Sequence, residues 1–319
     1  MLLPLGIQKR TIASCLIWLG GQISDYQGAL LSSDCSERLT ERLFLVIWKA
    51  IQETLPRFDA NVLEKQPELI GPQKHPFLYL SCEPHASSAH YTQLSKPLNA
   101  FVKARRSNKW LSGVRRKQRR LAEHGEIEFT VLMQDKDVQI TVDTMIQQKS
   151  QSYKKLGVAD IFEEHGHRDF VKTLSDNQTE NGFVYLCKLT LDERIIATHW
   201  GLIYKQRFYH LFPTYEHGIF AKYSPGNILL LNMFEWCIQN GVCIYDFTVG
   251  DEPYKDHWCD QKLNMYDHFQ ASTFRGLLYI WPLRLQRKLK RTIKQSPFLW
   301  RAFTTLRSGV SRIKSKQQT

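Results

Sequence analysis

Residues 242–260 read VCIYDFTVGDEPYKDHWCD. The first part is an apolar, β-branched and aromatic run through Asp246, the composition of a buried strand. After Gly250 the character changes, and Asp251, Glu252, Tyr254, Lys255, His257 and Trp258 follow at once. A strand end crowded with charged and aromatic side chains is a place where α/β folds build sites. "GDEP" also has the form of a helix start, with Asp251 as N-cap and Pro253 just inside. The expectation is that Asp251 both caps a helix and faces a cleft.

Upstream, "SPGNILLLNMFEWCIQNG" (224–241) predicts a helix, with Ser224 at the N-cap, Pro225 at the first helical position and Gly241 just past the end. Before it, "RIIATHWGLIY" (194–204) and "RFYHLFPTY" (207–215) read as a hairpin turning at Lys205 and Gln206. Earlier still come a strand at 126–132, helices at 142–157 and 168–177, and a strand at 182–190; "NMYDHFQAST" (264–273) makes the last strand. The order over this half is β, α, α, β, β, β, α, β, α, β.

The first part is less regular. "TIASCLIWLGG" (11–21) reads as a buried strand. A helix closed by Pro56 carries Leu39, Leu43, Val46, Ile47, Ala50 and Ile51 at helical spacing, and the proline-rich stretch 56–97 suits short strands and turns. From Leu98 to Gly125 the pattern is helical and basic. The expected division is 1–125, 126–276 and a basic amphipathic tail at 277–319.

The chain has 319 residues and a formal charge of +12. The 12 basic residues from Arg275 on, with no acid, leave 31 basic against 31 acidic residues elsewhere. A second cluster, Lys103 to Arg120, has nine basic residues and no acid. Everything outside the two is net acidic, which argues against an extended nucleic-acid groove. The seven cysteines show no metal-ligand spacing and read as reduced thiols of a cytoplasmic protein. No apolar run is long enough to span a bilayer. No GxSxG, HExxH, P-loop or dinucleotide fingerprint occurs, and Glu163, Glu164, His165 and His167 read as a polar loop, so no metal is expected.

The element order resembles the GNAT acyltransferase fold, α+β in class, in which two central strands splay apart to admit acyl-CoA. The resemblance implies that "KYSPGN" (222–227) meets the CoA pyrophosphate at a helix N-terminus, an anion site for general reasons. Lys222, Ser224, Gly226 and Asn227 are the implied donor-binding residues. Only one glycine is present and Pro225 removes a donor, a departure from the usual arginine- and glycine-rich loop. "WLGGQISDYQGALL", "RRKQRRL", "THWGL", "KYSPGNILL" and "DFTVGDEPYKDHWC" together resemble the CelD-type acetyltransferase-domain family linked to cellulose and other exopolysaccharide biosynthesis. That family is similar to the FemAB-like proteins, with two GNAT-like halves.

These resemblances imply an acetyl-CoA-dependent acyltransferase acting on an amine or hydroxyl of a saccharide or saccharide precursor. Acyl transfer needs a base and a positioned acceptor. His199, in a central strand, is the base candidate. Asp251 and Tyr254 are further catalytic candidates, with Tyr254 protonating the leaving thiolate. Asp246, Glu252, Lys255 and Tyr215 are expected at the substrate, and His210 and Trp258 as cleft walls. The basic tail, with Phe298, Leu299 and Trp300, suits an anionic membrane surface, peripheral to a polysaccharide synthase complex. The alternatives are a FemAB-like transferase using aminoacyl-tRNA, bound by the basic helix, and a catalytically silent synthase subunit.

Overall fold

The computed structural model describes residues 1–94, 97–133, 136–176 and 184–296. Strands in the first part are β1 (Leu5–Lys9), β2 (Ser14–Trp18), β3 (Ala60–Pro67), β4 (Leu69–Ile70), β5 (Gln73–Lys74), β6 (Cys82–Pro84) and β7 (Ala89–Gln93). Those that follow are β8 (Ile127–Leu132), β9 (Val184–Leu191), β10 (Arg194–Tyr204), β11 (Arg207–Tyr215), β12 (Ile244–Val249), β13 (Gln261–Leu263) and β14 (Met265–Ala271). The helices are α1 (Cys35–Arg38), α2 (Glu41–Thr54), α3 (Leu98–Arg105), α4 (Asn108–Ala122), α5 (Val138–Leu156), α6 (His167–Asp176), α7 (Pro225–Gln239) and α8 (Phe274–Gln295).

The chain forms two compact units. The first takes Met1–Ala89, Val249–Asp251 and the described residues from Lys262 on; the second takes His90–Thr248 and Glu252–Gln261. These limits differ from the boundaries at 125 and 276 drawn from sequence. The strand at 264–273 forms as β14, but in the first unit's sheet and not among the strands that precede it.

The first unit's sheet has the order β1-β2-β3-β14-β6. β2 and β3 are parallel, and β3 pairs antiparallel with β14 from Ala60↔Ala271 to Pro67↔Met265. Leu16, Trp18 and Leu63 pack with Phe44, Trp48 and Phe77 on one side. On the other, Cys15, Ala60, Val62 and Phe269 pack with Ile280 of α8. Burial of such side chains, about 1.5–3 kcal/mol each, is the main favourable contribution. In α2 the buried residues are Phe44 and Trp48, while Leu43 and Val46, expected inside, are exposed. α8 approaches β3 so closely that a Cβ on Gly276 would lie 1.9 Å from Asp59 O.

The second unit is built on a sheet of order β13-β7-β12-β11-β10-β9-β8. β8 to β11 form an antiparallel meander, and the β10–β11 hairpin turns where expected, with Lys205 and Gln206 both at positive φ. One face carries α7, whose Ile228, Leu229, Met233, Phe234 and Cys237 are buried against Tyr185, Phe208 and Tyr245. α7 is apolar nearly all round because α4 lies against it, contributing Leu111, Val114 and Leu121 to the same core. On the other face Gln148 of α5 bonds Thr214, and Trp200 Nε1 donates to Ser175 of α6.

The single basic helix expected from Leu98 is two, α3 and α4, separated where Ser107 Oγ caps α4 by accepting from Trp110 N at 3.1 Å. The helix expected after Asp251 is only a 3-10 turn, Lys255–His257. Part of the expected tail, including Phe298, Leu299 and Trp300, lies outside the described residues. No described helix is long and apolar enough to cross a membrane.

Candidate active site

The site is built where β11 and β12 part. These parallel strands are paired only at Arg207↔Ile244, Phe208↔Tyr245 and Tyr209↔Asp246, yet β11 continues to Tyr215 and β12 to Val249. Asp246 fixes the point of parting. Its Oδ2 accepts from Arg207 at 2.7 and 2.9 Å, and its Oδ1 accepts from Thr248 N at 2.7 Å. The carboxylate is fully buried, so Asp246 is a strand clamp and not the substrate ligand expected from sequence.

Thr248 is held at φ +59°, a conformation that costs a β-branched residue on the order of 1–3 kcal/mol. Its hydroxyl donates to His210 O at 3.3 Å, across the parting strands. Its carbonyl accepts from Lys255 Nζ at 3.3 Å, and the same ammonium lies 2.9 Å from Glu252 Oε2. Lys255, expected at the substrate, is buried. A buried lysine needs compensation, and the exposed Glu252 carboxylate supplies it. Glu252 therefore reaches the site through Lys255.

His199 and His210 stand on adjacent strands with ring centroids 4.4 Å apart. His210 Nδ1 is 2.8 Å from Tyr245 Oη. His199 is fully buried, and among the described residues neither of its ring nitrogens meets a partner. Loss of water holds both imidazoles well below the ordinary histidine range; the Lys149 ammonium adds to the effect on His199, and His199, Lys255 and Lys149 add to it on His210. Both rings are neutral at physiological pH. An imidazole buried without partners is costly, roughly 1–3 kcal/mol per orphaned group, which makes it a candidate for a working residue.

The N-terminus of α7 lies beside the end of β11. Ser224 occupies the N-cap position in the left-handed conformation, and its side chain does not cap the helix; its Oγ accepts from Lys117 Nζ of α4 at 2.7 Å. Asn227 N is taken by Ser224 O, Pro225 has no N–H, and among the described residues the Gly226 amide meets no backbone acceptor. A Cβ on Gly226 would lie 3.4 Å from the Tyr215 ring, so Tyr215 and Gly226 come together as one wall. Lys222 is exposed and lies over the Tyr223 ring. Sequence reasoning missed Lys117, which lies within a run of basic residues and has no signal of its own. It also missed Thr248 and Tyr245.

Other expectations fall elsewhere. Asp251 caps no helix: it accepts from Ser88 N at 3.4 Å and lies 3.3 Å from Lys294 Nζ of α8, within the first unit. Trp258 is core, packed on Phe101, Phe234 and Trp110, and is not a cleft wall. Tyr254 keeps 40% of its surface and packs against Phe247. Its phenol is pushed up by desolvation and by the Glu252 carboxylate, so it stays protonated and can donate a hydrogen bond. His167 Nδ1 lies 2.6 Å from Ile161 O, and among the described residues no group of His, Cys, Asp and Glu is arranged to hold a metal.

Residues 108–256 match the family model of the Acetyltransferase (GNAT) domain. The parted strands and the helix N-terminus beside them lie within the segment that matches this domain, and the match supports an acyltransferase. Solved structures at low identity share the fold. FemX is 11% identical, with 82% of this chain and 83% of that one covered at a TM-score of 0.53. The C-terminal (DUF2156) domain of a protein described as a lysylphosphatidylglycerol synthetase from Agrobacterium fabrum is 9% identical over 87% of each chain, TM-score 0.52. L-PGS from Bacillus licheniformis is 12% identical over 92% of this chain and 86% of that one, TM-score 0.50. No curated protein matches the chain in sequence.

Proposed function

We propose that the protein transfers an acetyl or related acyl group from acyl-CoA to an amine or hydroxyl of a saccharide or saccharide precursor in exopolysaccharide synthesis. The observation that carries the reading is the parting of β11 from β12 beyond Tyr209 next to the open Gly226 amide of α7. The residues at that helix end fit an anion. Lys117 places an ammonium at the positive end of α7, an unfavourable pairing by roughly 0.3–1 kcal/mol that a bound phosphate would reverse. Lys117 thus stands in for the missing loop arginine, and Gly226, Lys117 and Lys222 would hold the donor's pyrophosphate. Bound acyl-CoA supplies an activated thioester.

Within the protein, His199 takes the acceptor proton. It is neutral, and neither ring nitrogen is engaged by a described residue, so the basic one is free to take a proton. Tyr254 donates a proton to the departing thiolate. Lys255, fixed by Glu252 and the Thr248 carbonyl, places a positive charge at the parting strands where an oxyanion develops. The saccharide acceptor follows from the CelD-type sequence blocks, and the aromatic face of Tyr215 suits a sugar ring.

A second reading is favoured by one observation. An open groove of about 880 Å³ on the outer side of α4 is lined by Arg115, Gln118 and Arg119 together with Gly125 and Glu126. Two guanidinium groups in a groove suit a phosphate backbone, as a transferase using aminoacyl-tRNA requires. Calorimetric titration with acetyl-CoA and CoA separates the two. Micromolar binding that disappears in Gly226→Trp supports the CoA reading; absence of binding, together with salt-sensitive tRNA binding weakened by Arg115→Ala and Arg119→Ala, supports the other.

A further inference from the structure

Helix α8 is used on one side only. Gly276 and Ile280 pack against the first unit's sheet, and Arg284, Arg287 and Lys294 are spent on Glu83, Glu64 and Asp251. The opposite side presents Phe274, Leu277, Leu278, Trp281, Leu285 and Leu289, all exposed, with Phe274 at 73% and Trp281 at 68%. At 100° per residue these six fall within an arc of roughly 120°, a continuous apolar stripe. Stripes of this kind on a protein surface mark a docking face.

The stripe continues past the helix. An apolar groove of about 410 Å³ is lined by Ile12, Leu278, Tyr279, Pro282, Leu283 and Gln286, so the turn between β1 and β2 extends the same surface. That turn carries Lys9 and Arg10, and α8 carries Arg275 and Lys288. All four are exposed and make no ion pair among the described residues. α8 itself contains no acidic residue. An apolar centre rimmed by unpaired cations is complementary to a surface that is apolar below and anionic above. Two copies of this chain brought together by the stripe would instead oppose cation to cation, which argues against self-association.

We propose that this face docks the first unit on an anionic lipid bilayer. Phe274, Trp281 and Leu285 enter the interface, and Lys9, Arg10, Arg275 and Lys288 meet lipid phosphates. Each cation near such a surface contributes about fivefold in partitioning, and the apolar stripe fixes orientation and depth. Because α8 shares no residue with the acyl-CoA site, docking and donor binding are separately measurable.

The test is sedimentation of the full chain with phosphatidylcholine vesicles, with and without a third of phosphatidylglycerol. It is repeated for Trp281→Ser/Leu285→Ser and for Arg275→Glu/Lys288→Glu. All four positions are exposed, and circular dichroism checks that each variant is folded. The expected result is binding to anionic vesicles alone, reversed by high salt and at least tenfold weaker in each variant, with acetyl-CoA affinity unchanged. Equal binding to neutral vesicles, no binding, or binding retained in both variants overturns the proposal. So does a dimer in sedimentation velocity that Trp281→Ser/Leu285→Ser dissolves, which would give the face to a second copy.

Discussion

Replacing His199 with leucine separates a working imidazole from a merely buried one. The folded chain keeps His199 neutral because burial opposes its charge, whereas the unfolded chain protonates it near pH 6.5. A group depressed in this way contributes its stability in full above that pH and loses it as pH falls. The rate of loss is about 1.4 kcal/mol per pH unit for each imidazole held neutral. His199→Leu should therefore reduce the dependence of unfolding free energy on pH by about 1.4 kcal/mol per unit between roughly pH 6 and 5. His210, His75 and His268 are also held low, but contribute alike to both proteins and largely cancel in the comparison. At pH 7 the variant loses two unpartnered nitrogens, a gain of about 2–6 kcal/mol against a misfit of less than about 1.5 kcal/mol, so it should be at least as stable as the parent. Its transfer rate should nevertheless fall by roughly 10²–10⁴. Urea unfolding at a series of pH values and acetyl-transfer assays provide both numbers. An unchanged pH dependence would refute the buried neutral imidazole, and an altered one with full activity would return His199 to the core.

Gly226→Trp should abolish acetyl-CoA binding in calorimetry, because a side chain at this position occupies the helix end beside the Tyr215 ring, which an added Cβ already meets at 3.4 Å; circular dichroism checks that the variant is folded, and retained binding would remove the donor site from this helix end. Arg207→Met leaves the Asp246 carboxylate buried without its cation and should cost about 3–5 kcal/mol in urea unfolding; a loss below 1 kcal/mol would mean that Asp246 does not clamp the strands. Asp251→Asn weakens a partly exposed pair with Lys294 and should cost less than about 1 kcal/mol, with kcat unaltered; a large fall in kcat would restore Asp251 to the catalytic set.

The elements of the second unit were largely legible in sequence because their signals are local. The hairpin needs two residues at positive φ between alternating strands, and α7 is bracketed by Ser-Pro and Gly. What was not legible depends on contacts distant in sequence. Nothing in "AHYTQ" tells that β7 enters the sheet beside β12, and nothing in "MYDHFQA" tells that β14 returns to β3. Lys255 looks like any lysine one turn after a glutamate, and only the tertiary fold buries it. Asp251 carries the chemistry of a cap, but its carboxylate is engaged by Ser88 and Lys294 instead. Lys117 is hidden by its own neighbours: in a run of nine basic residues, the one turned inward toward Ser224 cannot be told from those in water.

The pairing of β3 with β14 sets a schedule for the growing chain. Lys65 N donates to Asp267 Oδ1 across 202 positions. At roughly 5–20 residues per second, β3 waits on the order of 10–40 s after its own synthesis before its neighbour leaves the ribosome. During that interval β2 and β3 present an unfinished edge, while the strands of the acyltransferase unit, lying almost entirely within the gap, emerge and close their own sheet. A chain interrupted just short of Met265 would thus hold a nearly complete catalytic unit tethered to an open one. Cutting the gene to the matched segment 108–256 would fail for the converse reason, since it discards β7 and strips β12 of a partner.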